Sequence, residues 1–432
     1  MNKYKIQSKL FYYYALKAFL FLFFNDRKNH KKQERYQIKR VKKLVRKAYE
    51  YDIYKKKFDD AGINPYSIKS LDDLQRIPRL TKEEYRSWMN NELKSERSKF
   101  FNTTHTSGST GIPTTNIFPP IEYAYHYIAD FFCWFKGGYN PFFGKTLTRQ
   151  PGDNSVGTKS FIQKLGILRR ECFNTKWERC DIIKKINSYK PDFILCNSSE
   201  LIYIAEWALA HNEKVFSPKY YCPNGENVDG LNYKILTSGF GKGLIKVDGG
   251  SEMADFSVRK PGNDYYDVID GLAVLQVLSD GKIKNSGTGS LLVTSLYREE
   301  FPLINYEIGD IVDLRKDESG TFIDKVNGRK NDVFIWADGT KTIYKNLENI
   351  NSVLENIFQI RFIQTSETTV KFQVVKDKTS SKTTEELELY MSGLYQEQFG
   401  NNVKIEYEWL PVIPPDPNGK IRNMISLVNK DK

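Results

Sequence analysis

Six of the ten residues from Thr106 to Thr115 are serine or threonine, and two glycines stand three positions apart among them. A loop of this kind offers closely spaced backbone N–H groups and hydroxyls, which suit a cluster of anionic oxygens such as a polyphosphate. Glycine lets the backbone approach such a ligand without a Cβ in the way. The pattern is not a P-loop, because no Gly-Lys-Ser/Thr follows. Judged on composition alone, a solvent-exposed surface loop is the other interpretation.

Four later segments also carry residues able to bind a nucleotide or a metal ion. They are Asn224-Gly225-Glu226, Gly249-Gly250-Ser251-Glu252, Gly309-Asp310 and Pro417-Asn418-Gly419-Lys420. Each one has an ordinary structural reading as well: a turn after a strand, an exposed glutamate, a Gly-Asp turn and a solvated loop lysine. What distinguishes them is that all occur in one order along the chain.

That order resembles the adenylate-forming superfamily, which includes acyl- and aryl-CoA ligases, luciferases and adenylation domains. The stretch Thr-Ser-Gly-Ser-Thr-Gly-x-Pro resembles its phosphate loop. The variant found here is most similar to the phenylacetate-CoA ligase branch and to CapK-type relatives in capsular polysaccharide biosynthesis. The resemblance runs from Thr106 to Lys420 and so covers most of the 432 residues.

The resemblance implies a role for each matching residue. The loop that cradles the phosphates of ATP consists of Thr106, Ser107, Gly108, Ser109, Thr110 and Gly111. The strand end beside adenine consists of Asn224, Gly225 and Glu226. Gly250 and Ser251 lead to Glu252, which holds Mg²⁺ and phosphate oxygens, and hard oxygen ligands are those that Mg²⁺ prefers.

The remaining implied roles concern the ribose, the domain junction and catalysis. Asp310 accepts hydrogen bonds from the ribose hydroxyls, since a carboxylate can take two hydroxyl donors. Arg329, in a Gly-Arg-x-x-Asp motif, contacts the nucleotide. Lys420 is catalytic together with Glu252, and it bridges the substrate carboxylate and the α-phosphate. The hinge position two residues after the arginine is Asn331.

The sequence departs from the family pattern at three places. Ile112 stands where many members have lysine, so a phosphate contact from that position is lost. Asp248 or Gly249 stands where an aromatic residue usually stacks on adenine, and Ile308 replaces a threonine. A non-catalytic, nucleotide-binding relative therefore stays open as an alternative.

The predicted fold class is α/β, with a large layered N-terminal domain of adenylate-forming type and a small mobile α+β C-terminal domain. The resemblance places the domains at residues 1–328 and 329–432. In the tail, the residue pattern predicts helices over 346–357 and 385–399, and strands over 361–365, 370–375 and 403–409. Farther upstream, Ser70 and Thr81 are predicted helix N-caps.

Composition limits the partners and the compartment. The net charge of +12 indicates an anionic partner, but no zinc-finger spacing or other nucleic-acid module is present. The five scattered cysteines fit reduced thiols in the cytoplasm better than a disulfide framework. The apolar run Leu10–Phe24 is too short to span a bilayer comfortably, so it predicts either a helix packed on the body or one lying on a membrane surface within residues 1–35.

The predicted function is ATP-dependent activation of a carboxylic acid as an acyl-adenylate, followed by transfer to an acceptor in capsular or envelope polysaccharide biosynthesis. The cofactors are ATP and Mg²⁺, with CoA as one acceptor; a carrier thiol or a glycan amine or hydroxyl are the others. An aryl- or acyl-CoA ligase is the alternative. The aromatic stretch Tyr123–Phe135 predicts either helix core, which is favoured, or an acyl pocket.

Overall fold

The computed structural model describes residues 7, 9–25, 30–105, 114–150, 161–174, 176–225, 228, 230–330, 333–351, 354–400, 402–414, 416 and 422–428. The chain divides into two compact units. Unit 1 comprises residues 1–138 and 246–326, and unit 2 comprises residues 139–245 and 327–432. The domain boundary at residues 328 and 329 stays a prediction.

The helices and strands follow one another in mixed order. The helices are α1 (Phe11–Asn25), α2 (His30–Ala48), α3 (Asp52–Asp60), α4 (Lys82–Glu92), α5 (Pro120–Lys136), α6 (Phe161–Lys164), α7 (Arg179–Tyr189), α8 (Ser198–Ala210), α9 (Gly230–Phe240), α10 (Tyr344–Asn351) and α11 (Thr384–Phe399), with 3₁₀ turns at Asp72–Arg76 and Glu96–Phe100. The strands are β1 (Asn102–His105), β2 (Thr115–Phe118), β3 (Thr146–Gln150), β4 (Arg170–Asn174), β5 (Phe193–Asn197), β6 (Tyr220–Asn224), β7 (Lys246–Gly250), β8 (Ala254–Arg259), β9 (Tyr266–Val268), β10 (Ala273–Ser279), β11 (Lys282–Lys284), β12 (Gly287–Ser295), β13 (Tyr306–Asp317), β14 (Gly320–Arg329), β15 (Val333–Ile335), β16 (Lys341–Ile343), β17 (Ile357–Ser366), β18 (Thr369–Lys376), β19 (Lys404–Trp409) and β20 (Met424–Ser426).

Unit 1 is built on an eight-stranded sheet with the order β11-β10-β12-β13-β14-β9-β8-β7. A separate hairpin pairs β1 with β2. Helix α5 packs on β8, and α1 packs on α5. Ala124, Ile128 and Phe132 of α5 repeat every four residues and are buried, which places them on one helix face. The aromatic helix is thus part of the core of unit 1.

Unit 2 contains two four-stranded sheets. The first has the order β4-β3-β5-β6, with all pairs parallel, and α8 packs on β5 and β6. The second has the order β19-β18-β17-β20. Helix α11 buries Leu387, Met391, Tyr395 and Phe399, again at four-residue spacing, in one core with Phe372 of β18.

Most of the tail elements predicted from the sequence are present. Helices α10 and α11 and strands β17, β18 and β19 overlap the predicted ranges. Strand β20 is not apparent from the pattern, because its three residues gain their pairing from β17 across some sixty residues of chain.

Of the two predicted helix caps, Thr81 is confirmed and Ser70 is wrong. Thr81 and Glu84 form a reciprocal capping box at the start of α4. At Ser70 a 3₁₀ turn starts only at Asp72, and the Asp73 carboxylate accepts hydrogen bonds from the backbone N–H groups of Lys69 (2.7 Å) and Ser70 (2.9 Å). Asp73 thus binds the backbone before the 3₁₀ turn, and the N-cap position of that turn is Leu71, which makes no side-chain cap hydrogen bond.

Candidate functional site

Glu252 lies in the tight turn that joins β7 to β8. The backbone N–H of Met253 donates a hydrogen bond to the Gly250 carbonyl oxygen at 3.0 Å, and Ala254 follows in the left-handed region with φ of 58°. The Glu252 side chain is only 4% exposed, so the turn holds a carboxylate inside unit 1.

The Tyr306 hydroxyl donates a hydrogen bond to Glu252 Oε1 at 3.0 Å. Tyr306 opens β13 and is fully buried. Burial, together with the negative charge of Glu252, raises the pKa of Tyr306 well above its ordinary value, so the phenol keeps its proton and acts as a donor. This contact, across 54 residues of sequence, has no sequence signal beyond the presence of tyrosine next to the Gly-Asp motif.

The two glycines before Glu252 are needed for different reasons. A Cβ at Gly250 would stand 2.8 Å from Glu252 Oε2 and 3.6 Å from Ile308 Cδ1. A Cβ at Gly249 would stand 2.4 Å from the Ala254 carbonyl oxygen. An aromatic residue therefore has no room at Gly249, one of the two positions, with Asp248, at which the sequence pattern expects the stacking residue.

Strands β1 and β2 are both hydrogen-bonded to the Glu252 turn. Thr104 Oγ1 donates to the Ser251 carbonyl oxygen at 2.7 Å, and Asn116 Nδ2 donates to Ser251 Oγ at 3.3 Å. Asn116 also donates to Thr104 Oγ1 at 3.1 Å. The predicted loop residues Thr106 to Gly111 lie outside the described residues. The strands on either side of them are nevertheless fastened to Ser251, one residue from Glu252.

Asp310 is placed by an irregularity in β13. The register with β12 shifts between Ser290 and Leu292, so that β13 carries extra residues around Gly309. Gly309 adopts φ of 100°, a backbone conformation that residues other than glycine rarely adopt. Such bulges bend a strand and re-aim its side chains. Asp310 is 8% exposed and lies four residues along the same strand from Tyr306.

A carboxylate held in this way is of the kind that binds a magnesium ion accompanied by phosphates. Among the residues that the structure describes, no group of three or more His, Cys, Asp or Glu is placed to hold a metal ion. Mg²⁺ bound to a nucleotide does not need one, because one or two carboxylates suffice when phosphates and waters complete its shell. Glu252 supplies one such carboxylate, fixed through Oε1 by Tyr306.

A buried arginine that sequence reasoning missed supports the strand after the loop. Arg298 is fully buried, donates to the Ile117 carbonyl oxygen at 2.8 Å and to the Tyr85 hydroxyl at 3.3 Å, and lies 4.0 Å from the centre of the Phe118 ring. These contacts connect β2 with α4 and with the chain that follows β12. Nη1 and Nη2 each have an acceptor, whereas Nε is buried without a hydrogen-bond partner. The Phe118 ring face offsets part of the cost of desolvating the guanidinium.

A pair of carboxyl groups lies next to the Glu252 turn. The Asp255 backbone N–H donates to Asp130 Oδ1 at 3.1 Å, and the two side chains also hydrogen-bond to each other. Burial raises the pKa of Asp130 to about 6, and burial with the nearby charges of Asp130 and Asp248 raises the pKa of Asp255 well above its ordinary value. The pair therefore shares a proton near neutral pH.

In unit 2, Asn224 and Gly225 lie at the carboxyl end of β6, an edge strand of the parallel sheet. Gly225 has φ of 85°, so it ends the strand in a turn. Asn224 Oδ1 accepts a hydrogen bond from the Cys222 thiol at 3.2 Å. Ligands of open parallel sheets bind outside the carboxyl ends of the strands, which is where this motif stands. Glu226 lies outside the described residues.

One arginine binds two residues that flank the C-terminal motif in sequence. Arg361 of β17 donates from Nε to the Arg422 carbonyl oxygen at 2.9 Å and from Nη2 to the Pro414 carbonyl oxygen at 2.9 Å. Arg361 is 4% exposed. Lys420, between these two carbonyl groups in sequence, lies outside the described residues.

Arg329 is exposed at the end of β14, and Asn331 lies outside the described residues.

Comparison with known proteins gives consistent results for the C-terminal part and for the whole chain. Residues 334–427 match the family described as the CapK C-terminal domain. Protein CapK of Staphylococcus aureus is 22% identical over 371 residues, which cover 82% of this chain and 80% of that protein. The 2-hydroxyisobutyryl-CoA ligase, solved in the postadenylation state with 2-HIB-AMP, superposes with a TM-score of 0.74 at 17% identity, covering 93% of this chain and 90% of that one. The chain has the fold of the adenylate-forming ligases.

A second adenylate-forming ligase extends the likeness. The anthranilate CoA ligase AuaEII, in complex with anthranoyl-AMP, has a TM-score of 0.52 at 13% identity over 75% of this chain and 66% of that one. The resemblance predicted from the motifs and the layered α/β fold are thereby confirmed, with a CapK-type domain at the C-terminus.

Proposed function

We propose that the protein is an adenylate-forming ligase, which activates a carboxylic acid with ATP and then transfers the acyl group to an acceptor. The observation that carries the proposal is the Glu252 turn. In a fold shared with a ligase that was solved with its acyl-adenylate, this turn holds a buried carboxylate and is hydrogen-bonded to both strands that flank the Ser/Thr/Gly loop.

In the first half-reaction, a carboxylate oxygen of the substrate attacks the α-phosphorus of ATP. The bond from that phosphorus to the pyrophosphate leaving group breaks, and the product is a mixed anhydride of the acid and AMP. Such a step needs charge neutralisation and placement more than covalent help from the protein. We assign the loop Thr106–Gly111 to the phosphates, Asp310 to the ribose and Lys420 to the carboxylate and the α-phosphate. Glu252 would hold a Mg²⁺ ion bound with ATP, which would neutralise phosphate charge.

In unit 2 we assign Asn224, Gly225 and Glu226 to the adenine and Arg329 to the nucleotide.

In the second half-reaction, a nucleophile attacks the acyl carbonyl carbon and AMP leaves. CoA is one acceptor, and the names of the two solved CoA ligases favour it. A carrier thiol or a glycan amine or hydroxyl is the acceptor in the envelope or capsular polysaccharide role that we propose from the CapK-type domain. We place this activity in the cytoplasm, at the inner face of the membrane.

The proposal is tested by pyrophosphate release from Mg-ATP with a panel of carboxylic acids. We expect release that depends on the acid, and we expect it to be lost in Lys420→Ala and in Glu252→Gln. Lys378→Ala is the matched control, because Lys378 is an exposed lysine in a turn of the same C-terminal domain. ATP binding without release from any acid would favour the non-catalytic relative, and absence of ATP binding would contradict both.

A further inference from the structure

The outer face of α1 is an uninterrupted apolar surface. Six of its large side chains are between 42% and 79% exposed: Tyr12, Tyr13, Leu16, Leu20, Phe23 and Phe24. At about 100° per residue, these six positions fall within an arc of about 120°. Lys17 stands at the edge of that arc. We call these six residues the apolar arc.

The opposite face of the same helix is the one that packs on the protein. Ala15, Ala18, Phe19 and Leu22 are buried, and the Phe19 ring lies 5.9 Å from the Phe132 ring of α5. Apart from Lys17, helix α1 is therefore apolar on both faces, and one of these faces is already buried by packing. A helix of this kind in water normally buries its second face as well.

The neighbouring helix α2 supplies dense positive charge. Nine of the seventeen residues from 31 to 47 are Lys or Arg, and one is Glu. Arg35, Lys39, Lys42 and Arg46 repeat at positions i, i+4, i+7 and i+11 and line an open groove of about 600 Å³. The Phe21 ring of α1 lies 5.1 Å from the Tyr36 ring of α2, so the apolar arc and this basic stripe belong to adjoining helices.

An anionic bilayer matches both features, whereas a second copy of the chain matches one. Apolar side chains enter the boundary between headgroups and acyl chains, and each nearby Lys or Arg adds attraction to anionic lipid. Two copies joined through the apolar arc would bring two basic helices near each other, and their charges would repel. In the part of the chain that the structure describes, no helix is long and apolar enough to cross a membrane.

We propose that α1 and α2 form a docking surface for an anionic lipid bilayer, with α1 lying in the plane of the interface. The apolar arc enters the lipid, and the basic stripe contacts lipid phosphates. This inference does not rest on the proposed ligase activity, because neither helix carries a residue assigned to the reaction.

The test is flotation of the full chain with vesicles of phosphatidylcholine alone or with one-third phosphatidylglycerol. We expect binding to the anionic vesicles that weakens as salt is raised. Leu16→Ser/Leu20→Ser/Phe23→Ser and, separately, Arg35→Gln/Lys39→Gln/Lys42→Gln should each weaken it by about tenfold or more. All six side chains lie at the surface or in the open groove, so both variants should fold.

Matched controls remove similar side chains from other surfaces. Phe143→Ser/Leu165→Ser/Leu389→Ser removes three apolar side chains that are 62% to 77% exposed, and Lys282→Gln/Lys341→Gln/Lys378→Gln removes three exposed lysines. Both controls should bind as the wild type does. The proposal is overturned by absence of binding to anionic vesicles, by equal losses in the controls, or by a wild-type dimer that the apolar-arc variant dissociates.

Discussion

The position of the Glu252 carboxylate depends on the missing side chain of Gly250. In Gly250→Ala the new methyl would stand 2.8 Å from Glu252 Oε2, and the flexible carboxylate would move away. We expect acid-dependent pyrophosphate release to fall by about tenfold, the cost of misplacing one charged group, with little change in melting temperature. Full activity in this variant would contradict the role given to Glu252.

Two other glycines serve as comparisons for that variant. Gly249→Ala meets backbone atoms at 2.4 Å, which cannot move independently, so it should lower the free energy of unfolding by about 1–3 kcal/mol. Gly393 is exposed on α11, and no atom lies within 4 Å of the position that its Cβ would take. Gly393→Ala should raise the free energy of unfolding by about 0.5–1 kcal/mol.

Glu206 of α8 should make the free energy of unfolding fall as the pH rises from about 6 to about 8. Burial raises its pKa to about 8, and its Oε1 atom is buried without a hydrogen-bond partner. Because the pKa is higher in the folded state, the protonated form stabilises the fold at low pH, and this contribution is lost as the pH rises through about 8. Between pH 6 and pH 8 we expect a loss of about 2 kcal/mol in the free energy of unfolding. The loss should disappear in Glu206→Gln, as measured by urea unfolding; the same loss in both proteins would show that other groups cause it.

Residues that act through their local turn could be predicted from the sequence, and residues that act through distant contacts could not. Gly309 needs its positive φ and Asp310 follows it directly, so the pair is visible as a motif. Tyr306 and Arg298 depend on partners 54 and 181 residues away, which no local pattern indicates. The steric reason for the glycine at 249 likewise appears only when β8 lies beside it.

Among the elements, the ends of the segment around Lys420 should govern how well that lysine is placed. One planar guanidinium spans two carbonyl groups, at Pro414 and Arg422, which a lysine amine cannot do in the same geometry. In Arg361→Lys we expect the rate of adenylation at saturating substrate to fall by about tenfold, while the KM for ATP stays near the wild-type value. If the variant also has a lower melting temperature and weaker ATP binding, in proportion to its lower rate, the role of Arg361 is merely structural.

The control for that variant is Arg315→Lys. Arg315 is an exposed arginine on β13 that pairs with Asp324, so its change should leave the adenylation rate unaltered.

Elements such as α11 were predictable, because four-residue spacing and a Thr-x-x-Glu capping box are both local signals. Strand β20 was not predictable, because it exists through its parallel partner β17.

For the whole molecule, the fold was predictable from the order of five short motifs, even though the two solved ligases described above that share it are only 17% and 13% identical to this chain. The net charge of +12 predicted an anionic partner but not which one. The structure separates two groups of basic residues. One is the stripe on α2 beside exposed apolar residues, and the other consists of residues such as Arg97 and Arg315, whose charge is balanced by a paired acid.

The most direct test of the central claim follows an oxygen atom from the acid. The acid that supports pyrophosphate release is supplied with ¹⁸O in its carboxylate, and the AMP formed with an acceptor is analysed by mass spectrometry. If the carboxylate attacks the α-phosphorus, the bridging oxygen stays on phosphorus, and the AMP carries one ¹⁸O atom. AMP without the label, or conversion of ATP to ADP in place of AMP, would contradict the adenylate-forming mechanism.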